Sequence, residues 1–108
     1  MRIVGGGLRG RRLASLKGTD LRPTSDRVRE AVFNIIEHGP DYPEIPGASV
    51  ADLFAGTGAY GLEAMSRGAA HATFIDNDMQ AVAVIRRNSA HLGLERQTTL
   101  LKLDASRL

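Results

Sequence analysis

The 108-residue sequence contains no cysteine. Disulfides and thiolate metal sites are therefore excluded. Its three histidines, His38, His71 and His91, are scattered without the spacing of metal ligands. No apolar run approaches the ~20 residues needed to cross a bilayer. The opening Met1-Arg-Ile-Val-Gly5 is too short and too glycine-rich for a signal peptide. The expectation is a cytoplasmic protein with no metal and no membrane partner. There is no internal repeat and no low-complexity segment, and the length leaves room for one small domain.

Acidic residues are scarce at the front. Residues 1–30 carry Arg2, Arg9, Arg11, Arg12, Lys17, Arg22, Arg27 and Arg29 against Asp20, Asp26 and Glu30. The remainder is net acidic although the whole chain is +2. A basic front on such a body points to a polyanion partner, most simply nucleic acid.

What the chain does have is glycine in a telling place. Val50-Ala-Asp-Leu-Phe-Ala-Gly-Thr-Gly-Ala-Tyr-Gly61 reads as a short buried strand running into a glycine turn and a helix start. Glycine lets a backbone turn sharply and approach a ligand closely, and the free N–H groups of a helix start supply donors. Gly56-x-Gly58-x-x-Gly61 spells the dinucleotide fingerprint, and Asp76 follows Gly56 by about twenty residues, where a ribose-binding acid is expected. Asp52, ahead of the glycines, is a poor neighbour for a pyrophosphate. It suits a ligand with an ammonium and a sulfonium, which is S-adenosylmethionine.

In chain order, Arg2-Ile3-Val4 and Leu8 to Leu13 predict a basic hairpin turned by Gly5-Gly6-Gly7. Pro23 holds Arg22 extended, and Thr24 or Ser25 can cap a helix. Val28, Ala31, Val32, Ile35 and Ile36 then form an amphipathic stripe, with Arg27, Glu30, Asn34 and Glu37 on the polar face and Gly39-Pro40 as the stop. Residues 39–48 form a loop. The glycine strand and its helix follow, ending near Arg67-Gly68. A second strand closes on Asp76, and Asn77 or Asp78 can cap a helix from about Met79 to Leu92 that packs through Val82, Ile85 and Leu92. Thr98 to Leu103 predicts a third strand, with Asp104-Ala105 at its end. This alternation is one half of a doubly wound parallel α/β sheet, whose ligands lie beyond the C-terminal strand ends. Asp52, Asp76 and Asp104 all fall there.

Asp52-Leu-Phe-Ala-Gly-Thr-Gly58 resembles the first motif of class I S-adenosylmethionine-dependent methyltransferases. Together with Arg22-Pro-Thr-Ser-Asp-Arg-Val-Arg-Glu-Ala-Val-Phe-Asn34 and Arg2-Ile-Val-Gly-Gly6, the chain resembles the bacterial 16S ribosomal RNA guanine-N2 methyltransferases over essentially all 108 residues. The resemblance implies a Rossmann-like fold, S-adenosylmethionine as cofactor, and 16S RNA in the small-subunit particle as partner of an enzyme that is a monomer at full length. It implies cofactor contacts from Asp52, Phe54, Ala55, Gly56, Thr57, Gly58, Gly61, Asp76, Asn77, Asp104 and Ala105. Asp52, Gly56 and Gly58 would flank the methionine moiety, Asp76 would hold the ribose, and Asp104-Ala105 would lie at the adenine. Arg2, Arg9, Arg11, Arg12, Lys17 and Arg22 are the expected RNA contacts. Residues 1–20 would be an RNA-contact extension, and residues 21–108 the N-terminal part of the cofactor domain. The family's Asn/Asp-Pro-Pro-aromatic motif is not present, since no Pro-Pro pair occurs in the sequence. No catalytic residue is therefore assigned, and the fragment is expected to be inactive alone. An NAD-binding oxidoreductase domain and a non-catalytic RNA-binding module are the alternatives.

Overall fold

The computed structural model describes residues 1–16, 23–53 and 55–107. The element order is α1 (Pro23–His38), β1 (Ser49–Leu53), α2 (Ala59–Ser66), β2 (His71–Asp76), α3 (Met79–His91) and β3 (Thr98–Lys102), with short 3-10 helices at Glu95–Gln97 and Ala105–Arg107. The three strands are parallel and ordered β1-β2-β3. Each crossover runs through one helix, the βαβ arrangement that parallel pairing requires. Among the described residues no helix is long and apolar enough to cross a membrane.

Register sorts the strand residues into two faces. Val50, Ala72 and Thr98 stand level, as do Asp52, Phe74 and Leu100. Ala72 and Phe74 of these rows are buried. Phe74 and Ile85 of α3 close on Gly58 at the start of α2, which puts that face beneath the helices. The next row, Leu53, Ile75 and Leu101, belongs to the opposite face, and there Leu53 and Leu101 are exposed. Parallel sheets are ordinarily covered on both faces; among the described residues this face is open at its outer strands, at Leu53 and Leu101, while Ile75 between them is buried. α2 is short but buried along nearly its whole length, so tertiary packing rather than helix propensity holds it. α3 starts at Asp78, whose side chain accepts from the Gln80 N–H at 2.9 Å. It packs through Ala81, Ile85, Asn88 and Ser89. The expected face held Val82 instead of Ala81, a rotation of one position that leaves Val82 half-buried.

α1 departs further from expectation. Of its apolar stripe, Val28 and Ile35 are 50% and 58% exposed, while Arg29 and Phe33 are buried. The reason lies in α2, which offers one buried carboxylate in an otherwise uncharged helix. Both Glu63 oxygens are doubly engaged. Oε1 accepts from Val4 N at 3.0 Å and Arg29 Nε at 3.2 Å; Oε2 accepts from Gly5 N and Arg67 Nε, each at 2.9 Å. A buried carboxylate is tolerated only when paired in this way, and pairing it turns Arg29 inward. Phe33, one turn on, follows Arg29 into the core, and the Arg67 guanidinium sits over its ring at 5.1 Å.

The N-terminal hairpin is minimal. Arg2 and Arg12 form one isolated antiparallel bridge, flanked by Ile3 N to Arg11 O and Leu13 N to Met1 O, each at 2.9 Å. Ile3 and Leu13 belong to the same hydrophobic cluster as Leu62, Phe74 and Ile85, so the arm packs into the core of the sheet. Its glycines serve this docking as well as the turn. A Cβ on Gly6, at φ +76°, would stand 2.0 Å from the Ser66 carbonyl oxygen. Ser66 O instead accepts from Gly7 N at 2.8 Å, and Ser66 Oγ accepts from Leu8 N at 2.9 Å.

Candidate functional site

The glycine turn is built by carboxylates from the two strands beside it. Asp52 Oδ2 accepts from Gly61 N at 3.0 Å, and Asp76 Oδ2 accepts from Gly56 N at 2.9 Å. The other oxygen of Asp76 accepts from Asp78 N at 2.9 Å. Asp76 thus ties the turn after β1 to the turn before α3, while keeping lone pairs free. Gly58 and Gly61 are packing positions. Gly58 caps α2 in the left-handed region at φ +81°, and a Cβ on Gly61 would meet Phe74 Cε1 at 2.4 Å. Gly56 is different. Its φ is +58°, and a Cβ there would meet nothing within 4 Å. The backbone is bare on that side and faces open space.

That space is a cleft of about 440 Å3, lined by Met1, Ser25, Val28, Gly56, Thr57 and Tyr60 among others. A separate groove of about 350 Å3 runs beneath β1 past Phe33, Ile45, Val50 and Asp52. Tyr60, stacked on Phe33 at 6.1 Å between centroids, borders both. Gly56 and Thr57 line the first and Asp52 and Gly61 the second. Burial, reinforced by the negative charge of Asp76 and opposed by the Gly61 N–H, pushes the Asp52 carboxyl up from an ordinary 3.8 to about 6. A cation beside it would relieve that cost.

The three strand-end acids descend the sheet as a stagger. Asp52 stands level with Phe74, two residues before Asp76, and Asp76 stands level with Lys102, two residues before Asp104. Ala55, Gly56, Thr57, Gly58 and Gly61 gather with Asp52 and Asp76. Asn77 is exposed beside Asp76. Asp104 and Ala105 lie past the end of β3, where Asp104 Oδ1 accepts from Ser106 Oγ at 2.6 Å and Ser106 N at 2.9 Å. Those two donors hold its carboxyl below the usual range. Of the expected RNA contacts, Arg2, Arg9 and Arg12 are exposed. Arg11 is exposed too, but its Nη2 donates to the His91 carbonyl at 2.9 Å. Phe54, Lys17 and Arg22 lie outside the described residues.

Sequence reasoning missed three supports of the site. Glu63 is one, and its signal was a lone carboxylate inside Leu62-Glu-Ala-Met65. Asn88 is another: it accepts from Ala14 N at 2.6 Å and donates through Nδ2 to Ala14 O and to Thr57 O, each at 3.0 Å. One buried amide thus joins the arm, α3 and the glycine turn. The third is Met1, whose sulfur accepts from Thr57 Oγ1 at 3.6 Å and helps to line the cleft over the turn.

The chain matches known proteins along its length. It is 39% identical over 107 residues to "Putative rRNA methyltransferase YlbH" of Bacillus subtilis, covering 99% of this chain and 55% of that protein. It is 47% identical over 92 residues to "Ribosomal RNA small subunit methyltransferase D" of Escherichia coli K12, covering 85% of this chain and 44% of that one. Among solved structures, "Putative methyltransferase yhhF" of Escherichia coli superposes with a TM-score of 0.82 at 41% identity, over 99% of this chain and 55% of that chain. The chain therefore spans about half the length of the curated relatives it matches. The family model described as conserved hypothetical protein 95 matches residues 1–108, and the chain belongs to that family.

Proposed function

We propose that this chain is the cofactor-binding portion of an S-adenosylmethionine-dependent methyltransferase that modifies the N2 amino group of a guanine in small-subunit ribosomal RNA. The observation that carries the reading is the Asp52–Gly56–Asp76 constellation, in which an open glycine backbone lies between two strand-end carboxylates. The names of the relatives support the rRNA substrate.

The cofactor, when bound, supplies an electrophilic methyl group. The residues of this chain bind and orient it. Ionised Asp52 faces the cationic methionine end. Gly56 admits it without a side chain in the way. Asp76 accepts from the ribose hydroxyls with lone pairs that Gly56 and Asp78 leave free, and Asp104-Ala105 borders the adenine. A guanine amino group is a weak nucleophile because its lone pair is delocalised into the ring, so alignment with the methyl carbon is a large part of the rate. The resemblance assigns that alignment to an Asn/Asp-Pro-Pro-aromatic segment, which these 108 residues do not contain. They are therefore expected to bind cofactor without transferring methyl.

Calorimetric titration with S-adenosylmethionine, NAD and an RNA hairpin tests the reading. S-adenosylmethionine binding without NAD binding is the expected result, and NAD binding alone would overturn it. Methyl transfer to ribosomal RNA by the purified 108-residue chain would overturn the expectation of inactivity.

A further inference from the structure

Arg2 and Arg12 stand opposite each other in the single bridge of the arm. Both are exposed, and neither makes an ion pair among the described residues. Like charges directly opposite across paired strands repel. Arg12 also borders a cleft of about 220 Å3 shared with Leu13, Ala14, Arg87, Asn88 and His91. Arg87 and His91 lie four residues apart on α3, and so on one face of it. Among the described residues both are exposed and without an ion pair, and none that lines the cleft is acidic.

The walls of this cleft are fastened. Asn88 grips both backbone groups of Ala14, and Arg11 donates to the His91 carbonyl at the end of α3. A helix C-terminus carries partial negative charge and would repel an anion. The Arg11 guanidinium, bonded to the last carbonyl of α3, offsets that charge. Arg11 is thereby a tether, which leaves Arg12 and Arg87 to meet a ligand.

We infer that Arg12, Arg87 and His91 form a seat for an RNA backbone phosphate between the arm and α3, continuous with Arg2; this rests on the reading that the chain serves a ribosomal RNA methyltransferase. Guanidinium forks match phosphate oxygens. The seat also explains why the arm is docked so firmly, because its arginine acts together with one from a helix far along the chain. Its floor, Asn88, reaches the Thr57 carbonyl of the glycine turn, so RNA held there lies one side chain from the cofactor cleft.

The test is binding of a single-stranded RNA oligonucleotide across a salt series. The proteins are the parent, Arg12→Ala/Arg87→Ala, Arg12→Lys/Arg87→Lys, and the control Arg27→Ala/Arg96→Ala, which removes two exposed arginines outside the cleft. Thermal melts verify that each is folded. The log–log slope is expected to flatten by about 0.7 in the cleft alanine pair, the contribution of one phosphate contact. The lysine pair and the control pair are expected to keep the parent's slope. A parent-like slope in the cleft alanine pair overturns the inference and leaves the methyltransferase reading standing. An equal flattening in the control pair also overturns it, since bulk charge would then account for the effect. If the parent binds S-adenosylmethionine but no RNA at low salt, the RNA part of the reading falls and the seat falls with it.

Discussion

Asp76 holds Gly56. The carboxylate at the end of β2 accepts the backbone N–H of the first glycine of the turn after β1, at 2.9 Å. The acid expected to bind ribose is therefore also a strut of the turn that lines the cleft. Asp76→Ala is expected to weaken S-adenosylmethionine binding by about 1.5–3 kcal/mol, the worth of hydrogen bonds to a charged group. The same change leaves the Gly56 and Asp78 N–H groups without their acceptor, so ligand-free stability should fall by about 1–3 kcal/mol as well. Calorimetry and thermal melts on one preparation separate the two losses. Unchanged affinity would remove Asp76 from the site.

Gly56 and Gly61 should respond oppositely to alanine. At Gly61 the new methyl would press on Phe74 at 2.4 Å, and overpacking of this kind costs about 1–3 kcal/mol. At Gly56 it would meet no protein atom within 4 Å and would bear only the left-handed backbone cost of roughly 1–2 kcal/mol. Gly61→Ala is expected to show mainly a lower Tm. Gly56→Ala is expected to weaken cofactor binding in addition to its backbone cost, because Gly56 lines the cleft.

Asp52 makes stability and binding move in opposite directions with pH. Folding raises its pKa from 3.8 to about 6, so between those values the folded state binds more protons than the unfolded state. Stability then falls as pH rises from about 4 to about 6, and the loss is complete above that range. A cationic ligand needs the ionised form. Its affinity should rise with pH, by up to about tenfold per unit below pH 6, and level off above. Asp52→Asn should abolish the contribution of this residue to both trends. Thermal melts and calorimetry between about pH 4.5 and about pH 8 check it, and a flat affinity profile in the parent would count against a cation at Asp52.

Glu63→Ala should be the most damaging single change. It strips the partner from two guanidinium groups and two backbone N–H groups at a wholly buried carboxylate. Breaking a buried pair from one side costs about 3–5 kcal/mol. Early protease cleavage within residues 1–16, ahead of the sheet, is the expected signature. A parent-like melt would show that the arm does not depend on this residue.

The readings that succeeded concern neighbours in sequence. Strand and helix follow from periodicity, and Gly56, Gly58 and Gly61 with Asp52 lie within ten residues of one another. The acids at the strand ends follow from where each apolar run stops. α1 shows the limit. Its stripe from Val28 to Ile36 obeyed the helical period, yet half-exposed Val28 and Ile35 lost the interior to Arg29. Periodicity ranks faces by hydropathy, and it has no access to a carboxylate supplied 34 residues away.

The sequence by itself determined an α/β chain with a glycine turn at a strand end and a basic front, because spacing, glycine and charge act locally. The tertiary structure alone decided that the front end is fastened to α2 and α3 through Glu63 and Asn88, and that Gly56 rather than Gly58 or Gly61 faces open space. Those outcomes rest on bonds spanning 59 and 74 residues and on which side of each backbone its neighbours fill, quantities that exist only once the chain has closed on itself.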